Sequence, residues 1–139
     1  MSLIRLLDRL ELLEHEAGCL YRTMAARLRK VNPAAAELLY RLAEEEKGHE
    51  KEVRLVRELT EDVKKQDNQL AIDPAIPGRL DEQLGYIREK QSMFASGMPD
   101  ITVSQTITMA LDIEVQLQER HALEAAHIKP YKDKGPHDV

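Results

Sequence analysis

Acidic and imidazole side chains interrupt the apolar stripes of three long segments of the chain. Glu14 stands in the first stripe, Glu46 and His49 stand one helical turn apart in the second, and Glu114 and His121 stand in the third. An ionised carboxylate in a protein core costs several kcal/mol unless something neutralises it, and neighbouring carboxylates repel one another. These stripes hold few basic residues, so a bound cation is the simplest way to neutralise the carboxylates. The residue types and their positions therefore predict a metal site.

Three long helices are predicted to position these residues, over Ser2–Val31, Pro33–Gln66 and Thr102–Ile128. Asn32 suits the N-cap of the second helix, with the proline after it in the first helical position. The pattern of residues 102–105 suits a capping box at the start of the last helix. The apolar positions follow the spacing of one helix face: Leu7, Leu10, Ala17, Tyr21, Met24 and Leu28, then Leu39, Leu42, Val53, Val56 and Val63, then Val103, Ile107, Ala110 and Leu117.

Residues 67–100 differ from these segments. Asp73-Pro74 and Ile76-Pro77-Gly78 are typical of breaks in helical structure. A weaker helix follows before Gly97, with an apolar face made of Leu80, Leu84, Ile87 and Phe94. We expect a long crossover that carries a helix of its own, because an unstructured loop of this length is uncommon in a compact domain.

The composition and these elements predict an all-α fold. The expected architecture is an up-down bundle of three long helices plus the crossover helix, completed by oligomerisation. The helical domain is predicted over residues 1–128, and a flexible tail over residues 129–139.

The helical rise places the polar positions at similar heights. At 1.5 Å per residue, Glu14 lies about 27 Å from the turn at Asn32, and Glu46 and His49 lie about 21 and 26 Å from it. If the crossover returns the chain to that turn, the last helix runs parallel to the second. Glu114 then lies about 18 Å along the bundle. The spacing therefore predicts one shared site.

The local sequences around these positions resemble a known family. Glu14 with Tyr21 seven residues later, Glu46-Lys-Gly-His49, and Ala110-Leu-Asp-Ile-Glu114 are similar to the helices of ferritin-like di-iron carboxylate proteins of the rubrerythrin type. The resemblance covers roughly residues 3–125. It implies that the three glutamates and His49 ligate one or two iron ions, with manganese or zinc as alternatives. It also implies that Tyr21 serves the site catalytically as a hydrogen-bonding group.

The resemblance further implies ferrous oxidation or peroxide reduction with an unknown electron donor. Oxygen-rich ligands with one imidazole suit iron or manganese better than zinc. His121 stands where the family commonly has tyrosine and lies about 10.5 Å along the helix from Glu114. We assign it as a metal ligand of a second site or of an interface.

The sequence also departs from the family. No fourth helix with a second Glu-x-x-His follows the last predicted helix, so either a single ion binds or another copy, in a homodimer or larger assembly, completes the site. The pair Glu124 and His127 lies about 15 Å beyond Glu114 and is interpreted as a surface pair. The chain has no Cys-x-x-Cys pairs, so the rubredoxin domain of full rubrerythrins is missing.

Composition excludes several other classes. A net charge of −5 with both signs interspersed argues against a nucleic-acid partner, and no apolar run approaches the length of a membrane helix. A single cysteine, Cys19, excludes a disulfide framework and is expected to be inert. A cytoplasmic location is the expectation. The alternative function is a metal-free helical scaffold or adaptor that forms homo-oligomers, with its carboxylates protonated or paired with a neighbour's arginines.

Overall fold

Two long helices joined by a tight turn form the first half of the chain. The computed structural model describes residues 2–62, 73–97 and 101–117. Helix α1 spans Leu3–Leu28, and helix α2 spans Pro33–Asp62. The predicted cap of α2 is confirmed, because Asn32 Oδ1 accepts a hydrogen bond of 3.1 Å from the backbone N–H of Ala35.

Helices α1 and α2 pack antiparallel. Arg57 lies 2.8 Å from Asp8 near the start of α1, and Arg54 lies 2.9 Å from Glu11 one turn further along. Each step toward the C-terminus of α1 therefore meets an earlier part of α2. This is the hairpin that the short Asn32-Pro33 connection predicts.

A third helix, α3, spans Ala75–Ala95 and runs along α1. It begins before Pro77 and Gly78, so the interpretation of these residues as breakers is wrong. Proline is tolerated in the first turn of a helix, where backbone N–H groups lack intrahelical partners. The contacts between α3 and α1 advance together along both helices, which makes the pair parallel: Asp81 with Arg9, Arg88 with Glu16, and Gln91 with Thr23.

A fourth helix, α4, covers residues 103–117 of the described chain. Its capping box is confirmed, because Thr102 N donates to Gln105 Oε1 at 2.9 Å and Gln105 N donates to Thr102 Oγ1 at 3.0 Å. Gln83, early in α3, donates at 3.3 Å to the carbonyl of Gln116, late in α4. Met93, late in α3, lines one cleft with Ile101 just before α4, so the two helices are antiparallel. Helix α4 then runs parallel to α2, which is the arrangement expected if the crossover returns the chain to the turn at Asn32.

The described residues thus form an all-α bundle in which four helices alternate in direction. The helix expected within the crossover is present and lies along the bundle as its third member. Among the described residues, no helix has the length and apolar character needed to cross a membrane. The predicted helix ends at Gln66 and Ile128 and the tail over 129–139 lie outside the described residues.

The core follows the predicted stripe of α1 and widens it. Every predicted apolar position of α1 is buried, and Leu6, Leu13 and Leu20 are buried as well, because α1 packs against both α2 and α3. The stripe of α2 is confirmed in its first half only, since Leu39 is buried but Val56 is 49% exposed. Val63 lies outside the described residues.

Candidate metal centre

Three of the predicted ligands meet between α1 and α2. Glu14, Glu46 and His49 each offer a ligand atom, and these atoms all lie within 4.8 Å of one another. His49 Nδ1 lies 3.7 Å from Glu14 Oε2 and 3.6 Å from Glu46 Oε1. The prediction that these residues share one level of the bundle is confirmed.

Both carboxylates lie in the core. Glu14 is 0% exposed and Glu46 is 1% exposed, whereas the side chain of His49 is 39% exposed at the edge of the group. Among the described residues, no donor gives a hydrogen bond to either carboxylate oxygen of Glu46. A buried carboxylate with no hydrogen-bond donor is costly in its ionised form.

A glycine of α1 lies against Glu46. A Cβ atom added at Gly18 would lie 3.5 Å from Glu46 Cβ and 3.6 Å from the backbone oxygen of Ala43. Both distances are ordinary contacts, so a Cβ fits there, whereas a longer side chain would push α2 away from α1 at the height of the site. Gly48 has no such neighbour, since an added Cβ there meets nothing within 4 Å.

The environment of Glu46 favours its neutral form. Burial raises the pKa of Glu46 far above that of an ordinary carboxyl, and the nearby carboxylates of Glu14 and Glu114 raise it further. In the neutral form the carboxyl can donate its proton to one of these neighbours. A cation at the same place would replace that proton and neutralise all the carboxylates together.

Glu114 joins the site from α4. Its Oε2 atom accepts a 2.9 Å hydrogen bond from the hydroxyl of Tyr21, which is 0% exposed. Burial and the adjacent Glu114 raise the pKa of Tyr21 above its ordinary value, so the phenol stays protonated and remains a donor. Glu114 is half-buried and is not one of the three residues whose ligand atoms all lie within 4.8 Å.

Helix α3 contributes apolar side chains to the core rather than ligands. Its buried residues are Ile76, Leu80, Ile87 and Phe94, and its acidic residues Asp81, Glu82 and Glu89 are exposed. Four candidate ligands therefore come from three helices. The remaining predicted ligand, His121, lies outside the described residues, as do Glu124 and His127.

A second group of ligand atoms, which the sequence analysis missed, lies on α1. His15, Glu16 and Cys19 place their atoms within 4.8 Å of one another. The signal was present, because His15 and Cys19 are four residues apart and so share one face of the helix. None of the three residues interrupts the predicted apolar stripe of α1, so the stripe pattern does not indicate this group.

The site and fold together define an all-α bundle with two buried carboxylates and a partly exposed imidazole at their edge. The residues present fit a metal ion, because oxygen and nitrogen ligands converge and, within the part of the chain that the structure describes, Glu46 receives no hydrogen bond. Comparisons with protein-family models, curated proteins and solved structures found no match to this chain. The resemblance to ferritin-like proteins stays a prediction.

Proposed function

We propose that this protein is a ferritin-like, non-haem iron protein, in which Glu14, Glu46, His49 and Glu114 hold the metal. The observation that carries the proposal is the convergence of two fully buried glutamates and a histidine on one point of the helical core. Exposed acidic groups are common without an ion, but Glu46 is buried and receives no hydrogen bond from any described residue, which makes its ionised form expensive unless a cation binds.

The ligand chemistry supports iron. Three carboxylates and one imidazole form an oxygen-rich set suited to iron or manganese, while zinc sites favour more nitrogen and sulfur. One chain offers these four residues, which is enough for a single ion. A bound iron ion would supply one-electron redox chemistry, with ferrous oxidation by dioxygen or peroxide as the proposed reaction.

The protein's own residues then have separate roles. Tyr21 fixes the carboxylate of Glu114 through its hydrogen bond, in the way that groups around a metal orient its ligands. Glu46 exchanges its proton for the metal. The partly exposed His49 lies at the open edge of the group, where an ion enters from solvent.

Exposed apolar residues support the proposed homo-oligomer. Among the large apolar side chains exposed on α2 and α4 are Leu55, Leu59, Leu111 and Val115. Leu55 with Leu59, and Leu111 with Val115, stand one turn apart on one helix face, and such apolar stripes are surfaces that a second copy could cover. Sedimentation velocity with purified protein tests this part, and a monomer at micromolar concentration would contradict it.

Iron binding is tested by anaerobic titration of the metal-free protein with ferrous ion. We expect saturable binding and a raised melting temperature in the wild type, because an ion that binds only the folded state stabilises it. Glu46→Gln and His49→Asn should each lose most of the affinity. Glu45→Gln is the matched control, since it removes an exposed glutamate next to Glu46 in the same helix.

The same samples separate the proposed function from a metal-free scaffold. If ferrous ion binds, oxygen consumption and appearance of ferric ion on exposure to air measure the oxidation. A wild type that neither retains nor takes up iron, or Glu46→Gln with unchanged binding, would favour the scaffold.

A further inference from the structure

A histidine and a cysteine face each other on α1, outside the carboxylate site. His15 Nε2 lies 3.6 Å from Cys19 Sγ, and His15 Nδ1 lies 3.2 Å from Glu50 Oε1 on α2. A carboxylate accepts hydrogen bonds, so Nδ1 carries the imidazole proton and the lone pair of Nε2 is directed to the sulfur. The cysteine is thus one member of a built group rather than an isolated thiol.

The separation of sulfur and nitrogen matches a tetrahedral metal ion. Zn–S bonds of about 2.3 Å and Zn–N bonds of about 2.0 Å, at the tetrahedral angle, place the two ligand atoms roughly 3.5 Å apart. The sulfur and nitrogen of this pair already lie 3.6 Å apart. Glu16 supplies a third ligand atom, a carboxylate oxygen within 4.8 Å of the sulfur and of a ring nitrogen of His15.

Glu50 completes the arrangement from the neighbouring helix. Metal-binding histidines usually donate their second N–H to a carboxylate, which fixes the ring and its tautomer. Glu50 occupies this position, and Arg54 holds its other oxygen at 2.8 Å. The carboxylate is therefore fixed in place before any metal arrives.

Two existing contacts compete with a metal, and both are weak. Arg22 donates to Cys19 Sγ at 3.6 Å, but the arginine is exposed and free to move aside. Arg88 pairs with Glu16 at 2.9 Å, with its side chain 55% exposed. Exposed ion pairs contribute little to stability, so a metal can displace Arg88 from Glu16 at small cost, and the 3.6 Å contact of Arg22 with the sulfur is long.

We propose that Cys19, His15 and Glu16 bind a zinc ion, with Glu50 orienting the histidine and solvent as the fourth ligand. A thiolate and an imidazole favour zinc over iron, so this site selects a different metal from the oxygen-rich one. A zinc site with three protein ligands keeps one position open. The proposal does not depend on the proposed iron chemistry.

Cobalt(II) as a zinc probe tests the proposal, because thiolate bound to cobalt absorbs in the near ultraviolet and carboxylates do not. Metal-free protein is titrated with cobalt and then with zinc. We expect a thiolate-to-cobalt band that zinc abolishes. The band should be lost in Cys19→Ser and His15→Asn, and zinc affinity should fall about 10- to 100-fold in Glu50→Gln. Glu52→Gln, an exposed glutamate of the same helix, is the control.

The double variant Glu46→Gln/His49→Asn separates the two sites. It should keep the sulfur band although iron binding is lost. Zinc should also slow alkylation of Cys19 by iodoacetamide in the wild type, and circular dichroism verifies that each variant folds. No sulfur band in the folded wild type, or a band unchanged by His15→Asn, would overturn the proposal.

Discussion

Tyr21 donates a 2.9 Å hydrogen bond to Glu114, although the two residues are 93 positions apart in the chain. The bond joins the first helix to the last at the height of the carboxylate group. Tyr21 has no exposed surface, so its hydroxyl depends on this bond rather than on bulk water. The same contact therefore stabilises the bundle and holds a proposed ligand.

Tyr21→Phe is expected to lower the free energy of unfolding by about 1–3 kcal/mol, because Glu114 loses a donor in a partly buried place. Affinity for ferrous ion should fall as well, by about 10- to 100-fold, since an orienting contact to a ligand is lost. Urea unfolding and anaerobic titration measure the two effects. Tyr40→Phe serves as the control, because Tyr40 is 36% exposed. Equal effects of both substitutions would contradict the assigned role.

The metal-free protein should become less stable as pH rises through the neutral range. Burial and the neighbouring carboxylates raise the pKa of Glu46, so the folded state retains a proton that the unfolded state has lost. The stabilisation is complete below the unfolded-state pKa and decreases as pH rises toward the folded-state pKa. The slope can reach about 1.4 kcal/mol per pH unit for one proton.

Urea unfolding in a chelator at pH 6, 7 and 8 measures this slope. Glu46→Gln should flatten it and stabilise the metal-free protein, because the amide is neutral at every pH. Glu45→Gln should leave the slope as in the wild type. A wild-type stability that increases over this range would show that Glu46 is ionised in the folded state.

Iron binding should release protons near neutral pH. The raised pKa of Glu46 favours its protonated form in the metal-free protein, and this proton must leave before the carboxylate ligates a cation, so affinity for ferrous ion should rise with pH. Calorimetric titrations in two buffers of different ionisation enthalpy give the number of protons released. The number should decrease in Glu46→Gln to the extent that binding remains measurable. Equal heats in both buffers for the wild type would contradict a protonated Glu46.

The features that could be predicted well are those that depend on residues close in the sequence. Asn32 and Thr102 cap their helices as expected, since each needs only the backbone N–H groups two or three positions later. The positions of Glu14 and Glu46 were also predictable. A polar residue at an apolar stripe position can be recognised in the sequence, and the helical rise gives its distance along the bundle.

The parts that the sequence could not predict depend on contacts between helices. Proline and glycine at 77 and 78 resemble breakers, yet packing against α1 stabilises a helix that begins at Ala75. Val56 follows the apolar stripe of α2 but lies where no described helix covers it. The pairing of His15 with Glu50 likewise needs the neighbouring helix in place.

Two glycines in helices should respond differently to the same substitutions, because only one of them lies against a neighbouring helix. Gly48→Ala should raise the free energy of unfolding by about 1 kcal/mol, since alanine is the better helix former and an added Cβ meets nothing within 4 Å. Gly18→Ala should also be tolerated, since its Cβ would lie at an ordinary contact distance of 3.5 Å from Glu46 Cβ.

Gly18→Leu is expected to be harmful where Gly48→Leu is not. The larger side chain must push α2 away from α1 at Glu46, which should cost about 1–3 kcal/mol of stability by overpacking. The displacement should also weaken iron binding, because Glu46 would move away from Glu14. Urea unfolding and ferrous titration of the four variants measure both quantities. If Gly18→Leu bound iron as the wild type does, close approach of the two helices would not be needed for the site.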